Sequence, residues 1–291
     1  MADIYLLIVT LLAATGWIFS KEALVGLPPL LFIATRFFLA GVIVAIFCIP
    51  ALRRLSRQEC LVSLKAGFLL AAGMACWIHG LHHNHHVGEG AFLTSMAVVL
   101  IPLVARFWFN ETPSRGTWLA LPVSLIGLGF LSLNNGFQFE PGQVYFLIAA
   151  ILFAIQFNVN TQAVAKVGVL PLTAIQLMVV GVCSFILSCL TETWPSSISA
   201  PIWGWLLASA MIATSVRFLL QTYAQGMAPA SHAAVILTIE PIWAALLAGF
   251  WFGEKMTLYQ FIGCGCIFTA LIISRWRWVV MLLKAPTPKS H

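Results

Sequence analysis

The sequence predicts an all-α integral membrane protein: ten transmembrane helices in two inverted five-helix repeats. Three observations predict it. The chain is 61% hydrophobic and 8% charged, with mean hydropathy +0.97, whereas a soluble domain carries about 25% charged residues. The apolar runs are about 20 residues long and lack period-2 alternation, so they read as helices and not as barrel strands. The chain also echoes itself. Residues 89–111, EGAFLTSMAVVLIPLVARFWFNE, end in Phe107-Trp108-Phe109-Asn110-Glu111; residues 228–254 end in Phe250-Trp251-Phe252-Gly253-Glu254. The offset is about 143 residues, half the chain. It sets Gly90-Ala91 opposite Ala233-Ala234 and Leu119-Ala120 opposite Ile262-Gly263. Such an internal repeat marks two related halves.

The spans follow in order as roughly 4–22, 29–49, 64–82, 88–109, 116–133, 142–163, 170–190, 202–224, 230–252 and 257–275. The first has no basic segment before it, only Asp3, and reads as a retained helix, not a signal peptide. Turn residues separate the rest: Gly26-Leu27-Pro28-Pro29, Asn134-Asn135-Gly136, Glu140-Pro141-Gly142, Leu170-Pro171 and Ala200-Pro201. No linker is long enough to part soluble domains. Seven cysteines are present, all but Cys60 in apolar runs; they read as small buried hydrophobes. Cys264-Gly-Cys266 lacks metal or redox spacing.

Lys and Arg set the orientation. With the N-terminus inside, the cytoplasmic side holds Arg53, Arg54, Arg57, Lys65, Arg106, Arg115, Lys166, Arg275, Arg277, Lys284 and Lys289, and the outer side Lys21 and Lys255. The net charge of +6 is therefore a topology signal and not a nucleic-acid footprint. Both termini fall in the cytoplasm. Five spans per half is an odd number, so the halves are inverted: residues 1–138, then 139–276, with a cytoplasmic tail 277–291. Where the second half meets the tail, Arg275-Trp276-Arg277-Trp278 reads as an interfacial anchor.

These features resemble the drug/metabolite transporter superfamily, specifically its EamA-type ten-helix members. The matching stretches are Gly16-Trp17-Ile18-Phe19 with Lys21; Leu27-Pro28-Pro29 followed by Arg36; Ala91-Phe92-Leu93-Thr94-Ser95 leading to Pro102; Gln221-Thr222-Tyr223-Ala224-Gln225; and Glu240-Pro241 running into Gly253-Glu254-Lys255, then Gln260 and Gly263. Together they cover nearly the whole chain. The resemblance implies movement of small metabolites, commonly export, across a bacterial cytoplasmic (inner) membrane. The departure is at residues 79–86, where a short polar turn is replaced by His79-Gly-Leu-His82-His83-Asn84-His85-His86.

Glu240 is the sharpest site candidate, because a carboxylate inside a span is costly unless it faces a cavity or a partner. Arg217 is its partner by arithmetic. It precedes the turn near Met227-Ala228 by about as many residues as Glu240 follows it. Both then lie about 16–18 Å from that turn. A structural ion pair and a pair that binds substrate or couples protons are both open. Arg36 lies at the depth of Trp17, where a cation–π contact competes with a structural role. Gln156 and Asn160 share a face of the sixth span, and Asn160 aligns with Trp17 under the offset. Helix glue and a polar cavity lining are both open for them. Gln221 and Gln225 share a face with Arg217.

His79, His82, His83 and His86 fall at i, i+3, i+4, i+7, one helical face. An interfacial helix junction, a pH gate, and metal or metallophore handling are the readings for them. No HExxH and no nucleotide loop is present. The expectation is a secondary transporter, an exporter, of a small polar or amphipathic metabolite (amino-acid-like, drug or metallophore). Its path is lined by Trp17, Arg36, Gln156, Asn160, Arg217, Gln221 and Glu240. It is expected to use no cofactor, resident metal or nucleic acid; its partners are a small-molecule substrate and the bilayer, and it works as a monomer or homodimer. The alternatives are a channel-like or lipid-translocating protein, or a membrane enzyme, for which no catalytic constellation is visible.

Overall fold

In the computed structural model, described for residues 1–82, 93–132, 141–252 and 257–274, every regular element is helical. In chain order these are α1 (Ala2–Ala23), α2 (Pro29–Ile46), α3 (Ile49–Arg53), α4 (Arg57–His82), α5 (Ala97–Phe109), α6 (Arg115–Ser132), α7 (Pro141–Val167), α8 (Val169–Thr191) and α9 (Ala200–Ala210). A π-helical stretch, Met211–Val216, then leads into α10 (Arg217–Gln225), α11 (Ala230–Leu237), α12 (Glu240–Phe252) and α13 (Leu258–Ser274). Among the described residues, 7 helical stretches are long and apolar enough to cross a membrane, with Ala200–Gln225 and Ala230–Trp251 each taken as one. Phe107, Trp108, Leu190, Phe250 and Phe261 stand exposed on the outside, an apolar surface suited to lipid. The chain is a multi-pass membrane protein.

Local chemistry sets the helix ends. Pro29 and Pro141 open α2 and α7, where a missing N–H is harmless. Gly168, at φ 87°, turns α7 into α8. Ser56 and Glu59 form a capping box at the start of α4: the Ser56 amide donates to the Glu59 carboxylate at 2.7 Å, and the Glu59 amide to Ser56 Oγ at 3.2 Å. That cap starts the helix at Arg57 instead of residue 64. At α2 the carboxylate of Glu192, beyond the end of α8, accepts from the amides of Leu30 and Leu31 at 2.7 and 2.9 Å. It thereby satisfies two orphan donors from a distant part of the chain. Of the cysteines, Cys48 is buried but Cys189 is exposed; an apolar run in a bilayer also has a lipid face.

Helix pairing follows a pattern. α2 and α8 form the most extensive pair and run antiparallel, with Gly41 against Leu177 and Met178, and Gly181 against Phe38. A Cβ at Gly181 would fall 2.6 Å from the Phe38 nitrogen, so the backbones meet only because the residue is glycine. α6 and α13 are also antiparallel: Phe130 stacks on Tyr259 at 6.4 Å, and Gly127 meets the Gly263 carbonyl. α4 runs against α7, with Gly73 at Phe153 and Gly80 at Phe146. α1 runs against the α9–α10 rod in the same sense. Phe19 stacks on Trp205 at 5.9 Å, Gly16 meets Ala213, and Tyr5 meets Tyr223 at 5.2 Å. α1 also lies along α12.

Two of the expected spans are broken. The ninth turns at Thr238-Ile239 before α12 starts at Glu240; the fourth turns at Met96 before α5 starts at Ala97. The eighth is continuous but widened by its π stretch.

Candidate functional site

Glu240 is positioned by its own break. Thr238 Oγ1 donates back to the Val235 carbonyl at 2.6 Å, and the amides of Thr238 and Ile239 bond three residues back, so α11 ends tightly. Pro241 is the second residue of α12, where it tolerates its missing donor. The carboxylate thus stands in the first turn of a helix, whose N-terminal dipole favours a negative charge. Trp17 Nε1 on α1 donates to Glu240 Oε1 at 3.3 Å. Arg217 on α10 places a terminal guanidinium nitrogen 3.9 Å from Glu240 Oε2. That distance makes an ion pair without a hydrogen bond. Both side chains keep about a quarter of their surface open, 22% for Arg217 and 25% for Glu240.

The π stretch sets Arg217. Thr214 Oγ1 and Ser215 Oγ donate to carbonyls five residues back, on Ser209 and Ala210, at 2.9 and 2.8 Å. Hydroxyls of this kind widen a helical turn. Arg36 on α2 holds the widened turn from outside. Its Nε donates to Thr214 Oγ1 at 2.5 Å, one terminal nitrogen to Ser20 Oγ at 3.1 Å, and the other to the Ala213 carbonyl at 3.4 Å. Arg36 therefore does not lie on Trp17. Its cation–π contacts are with Phe32 at 5.7 Å and Phe37 at 5.5 Å, because Gly16 brings α1 against Ala213 and opens the guanidinium's path to the π stretch. Trp17 instead meets Trp77 edge-on at 5.9 Å.

Gln156 and Asn160 are not part of the Glu240 cluster. They belong to a buried chain of amides. Gln156 donates to Gln176 at 3.0 Å, Gln176 to Asn160 at 2.5 Å, Asn160 to Gln225, and Gln225 to the Phe157 carbonyl at 3.3 Å. The chain ties α7, α8 and α10 together, and each member is at most 7% exposed. Asn158 is likewise buried and bonds the Ile101 and Ala154 carbonyls at 3.0 and 2.9 Å. Gln221 lies between Arg217 and Gln225 on α10; its Oε1 is buried without a partner among the described residues.

Of the histidine face, His83 and His86 and the side chain of His82 lie outside the described residues. His79 Nδ1 is 2.9 Å from the Ala75 carbonyl, and its ring is 6.0 Å from Tyr145. The described residues hold no group of three metal-ligating side chains. Ser20, Trp77 and Thr214, neighbours of the site, and Gln176, a member of the amide chain, are residues that the sequence did not single out. Each had only a weak signal, a single polar or aromatic residue in an apolar span.

The model of the EamA-like transporter family matches residues 1–133 and again 140–276. An uncharacterized transporter of Archaeoglobus fulgidus is 26% identical, over 94% of this chain and 85% of its own length. An S-adenosylmethionine uptake transporter of Rickettsia conorii is 27% identical over 77% and 76%. A solved crystal structure superposes with TM-score 0.81 at 17% identity, covering 98% of this chain and 99% of that one, which fixes the fold alone. The helical membrane architecture and a family match through both parts of the sequence agree: the chain belongs to the EamA-like transporter family.

Proposed function

We propose that this protein is a secondary transporter of a small polar or amphipathic metabolite. It alternates access by rocking two inverted five-span halves, residues 1–138 and 139–276, about a site at Glu240 and Arg217. The observation that carries the reading is the open Arg217–Glu240 pair at a helix break. Charged pairs and broken helices at membrane depth mark substrate and ion sites. The pairing of helices supports the inversion. α2 and α8, one repeat offset apart, are antiparallel, as are α6 and α13, and α4 on α7 is matched by α1 on α9–α10. The protein sits in the bacterial inner membrane with both termini cytoplasmic.

Trp17, Arg217, Gln221 and Glu240 line the path. Arg36 sets the π stretch, and Gln156 and Asn160 hold α7 to α8 and α10. The direction is export, as in many proteins of this kind. The Rickettsia relative is named for uptake, which makes S-adenosylmethionine the first compound to test. Purified protein in liposomes loaded with unlabelled S-adenosylmethionine, an amino acid or a nucleoside is given the labelled compound outside. Saturable counterflow is the expected result, together with accumulation driven by an imposed pH gradient that Glu240→Gln abolishes, with the variant still inserted. Flux that never saturates supports a channel or lipid translocator instead, and wild-type pH-driven accumulation in Glu240→Gln removes Glu240 from the mechanism.

A further inference from the structure

The membrane interior of the site holds two guanidinium groups and one carboxylate. Arg36 is fully engaged, by three hydrogen bonds and two aromatic faces. Arg217 is not. Its contact with Glu240, at 3.9 Å, is too long for a hydrogen bond. Its Nε is buried with no acceptor among the described residues. Trp243, one turn beyond Glu240 on α12, also buries its Nε1 without an acceptor among the described residues. Two idle donors thus belong to residues of the same two helices as the ion pair, and a buried donor left idle is unfavourable. What the site lacks is an acceptor, and a planar carboxylate matches the guanidinium fork. Glu240 does not fill that place: its Oε1 already accepts from Trp17, and its Oε2 stands beyond hydrogen-bond distance of Arg217.

We propose that the substrate carries a carboxylate, that this carboxylate takes the place of Glu240 on Arg217, and that Glu240 gains a proton as it is displaced. The inference rests on the transport reading and adds to it a substrate class and a coupling rule. Two ionised carboxylates at one guanidinium repel, and one of them takes up a proton. The proton leaves hydronium or a buffer acid in bulk solution and forms an O–H bond on the Glu240 carboxyl, so one bond to hydrogen breaks as one forms. The site carries the same charge before and after, with one anion facing Arg217 in each case. Substrate and proton are therefore bound together and carried together, and export of the pair runs on the substrate's own outward gradient. The charged groups around Glu240 are few. Arg217 faces it from α10, and Arg36 on α2 lies beyond. α1 carries Asp3, Tyr5, Lys21 and Glu22 only towards its ends, and α11 carries His232 near its start. Trp17 and Trp77, edge to face, supply an aromatic wall beside the pair.

The test uses the full chain in detergent and three probes of one shape: 3-phenylpropionate, 3-phenylpropylamine and 3-phenylpropanol. Thermal unfolding reads binding, and a pH electrode in weak buffer reads proton uptake. The acid is expected to raise the melting point and take up protons, while the amine and alcohol do neither. Glu240→Gln frees Arg217 permanently, so it binds the acid without proton uptake. Arg217→Gln loses the response; if that variant does not fold, Arg217→Lys, which keeps the charge without the fork, is expected to bind more weakly. Stabilisation by the amine overturns the proposal. So does an acid response that survives in Arg217→Gln, or no acid response in both wild type and Glu240→Gln. This binding test needs no flux, so its failure is separate from a failure of counterflow.

Discussion

Glu240 opens α12 one repeat offset after Ala97 opens α5. The two spans break at equivalent places, but only one break carries a charge. Ala97 is buried, with Ile101 and Asn158 of the same neighbourhood satisfied by each other. The chemistry of the site thus belongs to one of two similar backbones. Glu240→Ser is expected to lower uptake driven by an imposed pH gradient by about 100-fold, the equivalent of roughly 2.7 kcal/mol, while Ala97→Ser leaves it near wild type. Initial rates of that uptake, normalised to inserted protein, check the difference. Equal loss in both variants would mean that the break itself, and not the carboxylate, is what transport needs.

The α2–α8 contact turns on a missing side chain. A Cβ at Gly181 would come 2.6 Å from the Phe38 nitrogen and 2.7 Å from its Cα, backbone atoms that cannot swing aside. Gly181→Val is therefore expected to force the helices apart, at about 1–3 kcal/mol or more, and to lower the melting point in detergent. Gly204, where nothing lies within 4 Å of a Cβ, is the control: Gly204→Ala leaves stability unchanged or slightly raises it, since alanine is the better helix former.

Arg36 serves as a brace. Its three hydrogen bonds join α1, α2 and the π stretch, and a charged hydrogen bond contributes about 1.5–3 kcal/mol. Arg36→Ala is expected to destabilise the protein by about 3 kcal/mol, short of full additivity. Arg36→Lys keeps the charge but reaches fewer of these acceptors, and falls between. Because the brace sets the turn from which Arg217 projects, the lysine variant is also expected to raise KM for counterflow with its fold intact. A lysine variant with wild-type stability and KM would show that the three contacts are dispensable.

The legible part of the molecule was what depth alone decides. Apolar run length gave the helices, the Phe-Trp-Phe echo gave the two related stretches, and counting from a short turn put Arg217 level with Glu240. Azimuth was not legible. In a bilayer both the lipid face and the packed face of a helix are apolar, so the spacing of apolar residues does not say which way a given side chain points. Asn160 was level with the site but faces Gln176 and Gln225. Arg36 was level with Trp17 but faces Thr214, a residue 178 positions away in sequence. Rotation about the helix axis is set by close approaches such as Gly16 on Ala213. The capping box at Ser56 and Glu59 is written in the sequence as S-x-x-E; a boundary drawn from the start of the apolar run misses it, because the first turn of α4 is polar.

The amide chain joins three helices in the interior of the fold, and Asn160 is its centre. It accepts from Gln176 and donates to Gln225, so it joins α8 to α10 through α7. Side-chain hydrogen bonds between membrane helices average about 0.6 kcal/mol and reach about 1.7. Asn160→Ala removes two and leaves a buried amide on each side without its partner, so a loss of about 1–3 kcal/mol is expected. Asn160→Leu and Gln225→Leu are also each destabilising, but the double variant is expected to lose less than the sum, since the two losses share one bond. Urea or SDS unfolding of the four proteins in one detergent measures the coupling. Strict additivity would mean that the two amides do not interact in the folded protein, and that Asn160 is free to face the substrate path after all.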